Sequence, residues 1–236
     1  MLNTPIFVVL PYVALVLLLA VTPYRYFSNR LTWSAYSTEL FERRLLYWGS
    51  NPWHYGIIPL LLAHLTPFLF LGPVARLLGN QDALLILESL GLGLGLLALL
   101  GILLLLLRRV NSPMLSRVTY FWDWVILFLL LLQAGTGVYL AAFLRWGSLW
   151  YSHAAVPYFR SIWACNPQPE LLADFPPVLK IHFVCAMLIL CVFPFTKLVH
   201  MLFLPIDFLK DQPMLYRWKG GRFSPRSNRS PDGSGL

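Results

Sequence analysis

Residues 83–107 read ALLILESLGLGLGLLALLGILLLLL and run straight into Arg108-Arg109. Across this whole stretch the single ionisable side chain is Glu88. Coiled as an α-helix, which rises ~1.5 Å per residue, it is longer than the ~30 Å hydrocarbon core of a bilayer. It reads as a transmembrane helix. Four more apolar runs of similar length surround it, at about 5–23, 51–72, 120–144 and 178–205. The chain is 58% hydrophobic and 12% charged. Soluble domains carry roughly 25% charged residues, so water is not its main solvent. The expected fold is all-α: an integral membrane bundle of five transmembrane helices over residues 1–209. Residues 210–236, basic and rich in Ser, Pro and Gly, are expected to form a disordered tail.

Charge placement orients the bundle. Fourteen of the 18 Lys and Arg residues fall after the first span, after the third, and around the end of the fifth. Arg76, Arg145, Arg160 and Lys180 lie on the opposite side. The positive-inside rule puts the fourteen in the cytoplasm, the N-terminus outside and the C-terminus inside. No positive n-region precedes the first apolar run, so that span is expected to be retained. The net charge of +8 is topological. No basic, aromatic-interleaved surface of a nucleic-acid binder occurs. Cys165, Cys185 and Cys191 form no disulfide framework, and no C-x-x-C-H motif for covalent haem is present. Residues 37–48 could form an interfacial amphipathic helix, and the proline-rich outer loop 145–177 is expected to be irregular.

Ionisable side chains inside a bilayer are functional candidates. Four of the five histidines lie in two spans: His54 and His64 in the second, His182 and His200 in the fifth. The two spans run antiparallel. His54 therefore pairs with His200 at the inner level, and His64 with His182 at the outer level. Two imidazoles at one depth suit the axial positions of a haem iron. A zinc or proton pathway, or plain packing histidines, are the other readings. On straight helices the ten-residue step spans roughly 15 Å and the eighteen-residue step roughly 27 Å. A tilt, unequal depths, or a kink at Pro59 or Pro194 must absorb the difference. Eighteen residues make five whole turns, so His182 and His200 would share a face. His153, in the outer loop, reads as surface. Gly91, Gly93, Gly95, Gly135 and Gly137 could let a flat macrocycle approach, although Gly91-x-x-x-Gly95 also reads as helix packing. Arg108, Arg109 and Arg117 could hold propionates, and Glu88 could accept quinol protons.

Several stretches resemble the gamma subunit family of respiratory nitrate reductases, membrane dihaem cytochromes b. They are Thr32-Trp33, Ser50-Asn51 before His54-Tyr55-Gly56-Ile57, the step from His54 to His64, Arg108-Arg109 with Ser112-Pro113, and above all Phe193-Pro194-Phe195-Thr196-Lys197-Leu198-Val199-His200 before Pro205. The resemblance covers nearly the whole chain. It implies two b-type haems, ligated by His54 and His200 nearer the cytoplasm and by His64 and His182 nearer the outside. It implies a quinol-oxidising subunit of a bacterial or archaeal cytoplasmic (inner) membrane. Electrons would pass to an iron–sulfur (beta) subunit and a molybdenum (alpha) subunit that reduces nitrate. The quinol pocket candidates are Ala63, His64, Arg76 and Glu88. Where the family carries a lysine after span two, the loop Gly72 to Ala83 offers only Arg76. A dihaem subunit of a sulfur-compound or heterodisulfide reductase, and a histidine-based metal transporter, are the alternatives.

Overall fold

A computed structural model describes residues 3–28, 42–144 and 147–202. All the regular structure among these residues is helical. The first span is α1 (Asn3–Val16), a π turn at Leu17–Val21, and α2 (Thr22–Ser28). The second is α3 (Arg44–Leu69), followed by the short α4 (Leu71–Leu78), which turns away from it by 109°. The third and fourth are α5 (Gln81–Asn111) and α7 (Phe121–Phe143), joined by the turn α6 (Pro113–Arg117). The fifth is α10 (Pro177–Val192), which gives way to 3-10 turns at Phe193–Phe195 and Lys197–Leu202. Among the described residues four helices are long and apolar enough to cross a membrane, or five where the bent pair α3 and α4 is counted as one span. The protein is a multi-pass membrane protein.

The surface carries the same message. Leu96, Leu100, Leu103 and Leu107 project outward from α5, and Leu61, Leu62, Leu65 and Leu69 from α3. Large apolar faces of this kind are costly in water and at home in lipid. The spans pack side by side in the order α3, α5, α7, α10, α1. The α3–α5 seam is tight because it is glycine-lined. A Cβ on Gly56 would lie 2.6 Å from the Ala98 nitrogen and the Leu94 carbonyl oxygen, and one on Gly101 would strike the Trp53 backbone nitrogen. Small residues let helices approach closely enough for dispersion to hold them, which matters where lipid competes on equal terms.

Polar side chains close the helix ends. Asn80 accepts from the N–H groups of Asp82 and Ala83 at the start of α5. Glu42 accepts from Leu45 and Leu46 at the start of α3. These satisfy donors that have no partner within the helix. Inside α1, Pro11 lacks an N–H, so the carbonyl of Phe7 loses its helical partner. The buried Tyr158 hydroxyl donates to that carbonyl. Tyr158 belongs to a core with Phe7, Ala14, Ile162, Leu172, Phe183 and Met187, which ties the outer connection to spans one and five.

The structure corrects three sequence expectations. The outer connection is largely helical, with α8 (Gly147–Trp150), a π turn at Tyr151–Ala155, α9 (Val156–Trp163) and a 3-10 turn at Pro169–Leu172. Pro157 sits in the first turn of α9 and Pro169 opens the 3-10 turn, positions where a missing N–H costs nothing. Residues 44–48 belong to α3 itself, not to a separate interfacial helix. Span five ends as an α-helix at Val192, because Pro194 cannot continue the ladder. The five-turn argument for a common face of His182 and His200 therefore does not apply. Residues 37–41, the end of span five from 203 onward and the tail from Lys210 lie outside the described residues.

The glycine seam makes a prediction. Gly56→Ala or Gly101→Ala should destabilise the detergent-solubilised protein by about 1–3 kcal/mol, the usual scale for overpacking. Gly91→Ala, where a Cβ meets nothing within 4 Å, should leave thermal stability unchanged or slightly raised. Thermal unfolding of the three variants checks this.

Candidate functional site

His54 and His64 project from α3, both exposed to the surroundings of the chain. The ring nitrogen Nδ1 of His54 donates to the Ser50 carbonyl at 2.7 Å, and Nδ1 of His64 to the Leu60 carbonyl at 2.7 Å. His200, in the last 3-10 turn, repeats the arrangement with the Lys197 carbonyl at 2.6 Å. In each case the bond fixes a tautomer with the proton on Nδ1 and the lone pair on Nε2. No hydrogen bond among the described residues engages Nε2 of these three rings. This is how proteins prepare a histidine to ligate a metal, since the second nitrogen's partner sets the ring orientation.

The rings of His54 and His200 lie with centroids 6.5 Å apart and planes at 65°. Two imidazoles bound on opposite sides of one ion, with metal–nitrogen bonds of about 2 Å, would have centroids roughly 6 Å apart. The observed separation fits that requirement. The break at Pro194 makes it possible, because it frees His200 from the axis of α10. The straight-helix estimate of the His182-to-His200 step therefore does not apply.

The outer pair is arranged differently. His182 projects from α10. Its ring is bracketed by α7. Nδ1 meets Thr136 Oγ1 at 2.9 Å, and Nε2 meets the Gln133 side-chain nitrogen at 2.9 Å. The Gln133 amide donates to Nε2, so His182 holds the same tautomer as the other three and donates from Nδ1 to Thr136. Gln133 Oε1 is buried without a hydrogen-bond partner, an uncompensated cost for a polar atom. The nearest approach of a glycine to this ring is Gly137, whose Cβ would sit 3.2 Å from His182 Cε1. Space is open at Gly91, Gly93 and Gly135, whereas Gly95 packs against Val138. Of the four, His54 and His200 stand ring to ring. Among the described residues no group of three or more His, Cys, Asp or Glu could hold a metal ion, and zinc sites use three or four such ligands. The His54–His200 pair, with Nε2 open on both rings, fits the two sides of one haem iron, whereas Nε2 of His182 is engaged by the Gln133 amide.

The remaining sequence candidates are spread around these pairs. Arg108 is buried and bonded to Glu42 through Nε at 3.0 Å and to its carbonyl through an amino group at 2.8 Å. Arg109 donates to Thr119 and lies 3.7 Å from Asp123. Arg117 is exposed at the end of α6. Ala63 and Arg76 are exposed on α3 and α4. Glu88 accepts from the Ser148 N–H at 3.4 Å, at the foot of the outer connection. His153 is exposed.

Sequence reasoning passed over Tyr151, whose ring packs against His64 with centroids 5.3 Å apart. Its hydroxyl donates to the His64 carbonyl at 2.7 Å, and Arg160 donates to the Phe68 carbonyl at 2.9 Å. Burial pushes the Tyr151 phenol up to about 12, so it stays a donor throughout the physiological range. It also passed over Thr136 as the partner of Gln133. The two are three residues apart on one helix, a spacing that places both on one face.

Tyr151 yields a second prediction. Tyr151→Phe should cost about 0.5–1.5 kcal/mol, the usual net worth of one hydrogen bond. A phenol raised on folding stabilises fully below its unfolded pKa of about 10 and loses that contribution as pH rises towards the folded value. The stability gap between wild type and variant should be constant from pH 7 to 9 and shrink above pH 10. Thermal unfolding against pH measures it.

Comparison with known proteins places this arrangement. The family described as nitrate reductase gamma subunit matches residues 3–219. The nitrate reductase gamma chain of Bacillus subtilis (strain 168) is 30% identical over 213 residues, covering 89% of this chain and 95% of the relative. The respiratory nitrate reductase 1 gamma chain of Escherichia coli (strain K12) is 27% identical, over 92% of this chain and 97% of the relative. A nitrate reductase-like protein, NarX, of Mycobacterium tuberculosis is 27% identical over 89% of this chain, which corresponds to a third of that longer protein.

Proposed function

The chain belongs to the nitrate reductase gamma subunit family, and from that premise we propose that it oxidises a membrane quinol and delivers the electrons inward, holding two b-type haems for the purpose. As a family member it is the membrane subunit of a nitrate reductase. Its partners in this reading are an iron–sulfur (beta) subunit and a molybdenum (alpha) subunit on the cytoplasmic side, where nitrate is reduced. The N-terminus lies outside and the C-terminus in the cytoplasm, as the positive-inside count supports, in the cytoplasmic membrane of a bacterium or archaeon. The single observation that carries the reading is the separation of the His54 and His200 rings, 6.5 Å between centroids on different spans.

His54 and His200 would hold the inner haem, and His64 and His182 the outer one. Each haem supplies a one-electron iron couple when bound. The chain's own residues do the rest. The carbonyls of Ser50, Leu60 and Lys197, and the hydroxyl of Thr136, take the Nδ1 protons and leave Nε2 for iron. The Gln133 amide, now on Nε2 of His182, would turn aside for ligation. Quinol would dock near His64, beside Ala63, Arg76 and Tyr151. Glu88, partly buried at the outer end of α5, is the carboxylate placed to take quinol protons towards the outside. Arg108, Arg109 and Arg117 supply positive charge at the inner end, where propionates and the iron–sulfur partner would both find it favourable.

In the assembled complex, His64→Ala should abolish quinol-driven nitrate reduction while the inner haem remains. An artificial donor acting directly on the soluble subunits should still support nitrate reduction at the wild-type rate. Steady-state assays with a quinol analogue and with the artificial donor check this. Undiminished quinol oxidation by His64→Ala would overturn the route.

A further inference from the structure

His200 occupies an unusual place for a ligand. It sits in a 3-10 turn, Lys197–Leu202, after α10 has ended and the chain has broken at Pro194. Short 3-10 segments have poor hydrogen-bond geometry and little intrinsic stability. Something outside the turn must hold it, and the structure supplies two anchors.

The first anchor is Arg25 of α2, whose guanidinium donates to the carbonyls of Pro194 and Thr196. The second is Asp123 of α7. Its carboxylate is buried, 4% exposed, and accepts from Lys197 Nζ at 2.9 Å. The same oxygen lies 3.7 Å from Arg109 Nη1 and accepts from the Tyr120 N–H at 3.3 Å. A carboxylate is not left in such a place without partners. Lys197 is therefore bonded at both ends. Its ammonium is fixed to α7, over the Tyr120 ring at 5.7 Å from its centroid, and its carbonyl accepts the Nδ1 proton of His200 at 2.6 Å.

We propose that Lys197, clamped by Asp123, is a positioning residue that sets the orientation of the His200 ring for the inner haem. The proposal rests on the reading of His200 as an axial ligand. The ionic bond from α7 determines where the Lys197 carbonyl lies, and that carbonyl determines where Nε2 of His200 points. The outer ligand His182 does not depend on this clamp, because Gln133 and Thr136 hold it from a different part of α7.

The test is made in the complete complex, with each haem followed separately by its low-spin electron paramagnetic resonance signal and midpoint potential, and total haem by pyridine haemochrome. Lys197→Met and Asp123→Asn should weaken retention of the inner haem by about 10-fold or more, the scale for lost groups that orient metal ligands, or shift its signal and potential. The outer haem should be unchanged in the same samples, which also reports that the chain has folded. Lys197→Arg, which keeps the charge, should restore the inner signal. Wild-type inner haem in both Lys197→Met and Asp123→Asn would overturn the proposal. So would equal loss of both haems, or failure to assemble, in every variant including Lys197→Arg, since the clamp would then serve the fold alone. Absence of haem from the wild-type complex would instead overturn the reading on which the proposal rests.

Discussion

A helix that crosses a bilayer must meet every backbone carbonyl from within the protein, because hydrocarbon offers no hydrogen bonds. This chain strains that rule with proline. Pro11 lies inside α1, Pro52, Pro59 and Pro67 inside α3, and Pro194 at the break of span five. Each removes an N–H from the ladder. The side chains that reach carbonyls near these points come from distant parts of the chain. Tyr158 serves Phe7, Tyr151 serves His64, Arg160 serves Phe68, and Arg25 serves Pro194 and Thr196. These contacts draw the outer connection over spans one and two and bind span one to the inner end of span five. The break at Pro194 is what lets span five bring His200 to the ring of His54.

The two ends of the bundle solve the same task with different chemistry. At the outer end, phenol, amide and hydroxyl groups surround His64 and His182, and Gln133 Oε1 is left without a partner. Neutral groups of this kind can be rearranged at lower cost than paired charges. At the inner end, buried charge dominates. Arg108 meets Glu42, and Asp123 gathers Lys197 and Arg109. Breaking a buried ion pair leaves an uncompensated charge and is strongly destabilising, which favours a fixed geometry at this end.

The fold was legible because the bilayer imposes a length and a composition that local sequence must satisfy. The leucine run before Arg108-Arg109 is a helix for that reason alone. The histidines drew attention for the related reason that ionisable groups are expensive in lipid. Their tautomers were not legible, because a carbonyl partner such as that of Ser50 or Lys197 carries no side-chain signature. Nor was the helical outer connection. Its prolines read as breakers, yet Pro157 and Pro169 sit where a missing N–H is harmless. Asp123 and Lys197 are 74 residues apart. Only the packing of α10 on α7 joins them, and no local pattern announces it.

Four histidines in two spans are proposed to hold two haems. Pyridine haemochrome analysis of the purified complex, set against protein quantified by amino-acid analysis, tests it most directly. Two b-type haems per chain, reduced by a quinol analogue and reoxidised by nitrate, are expected. A fully assembled, well-folded complex in which this chain carries no b-type haem would contradict it.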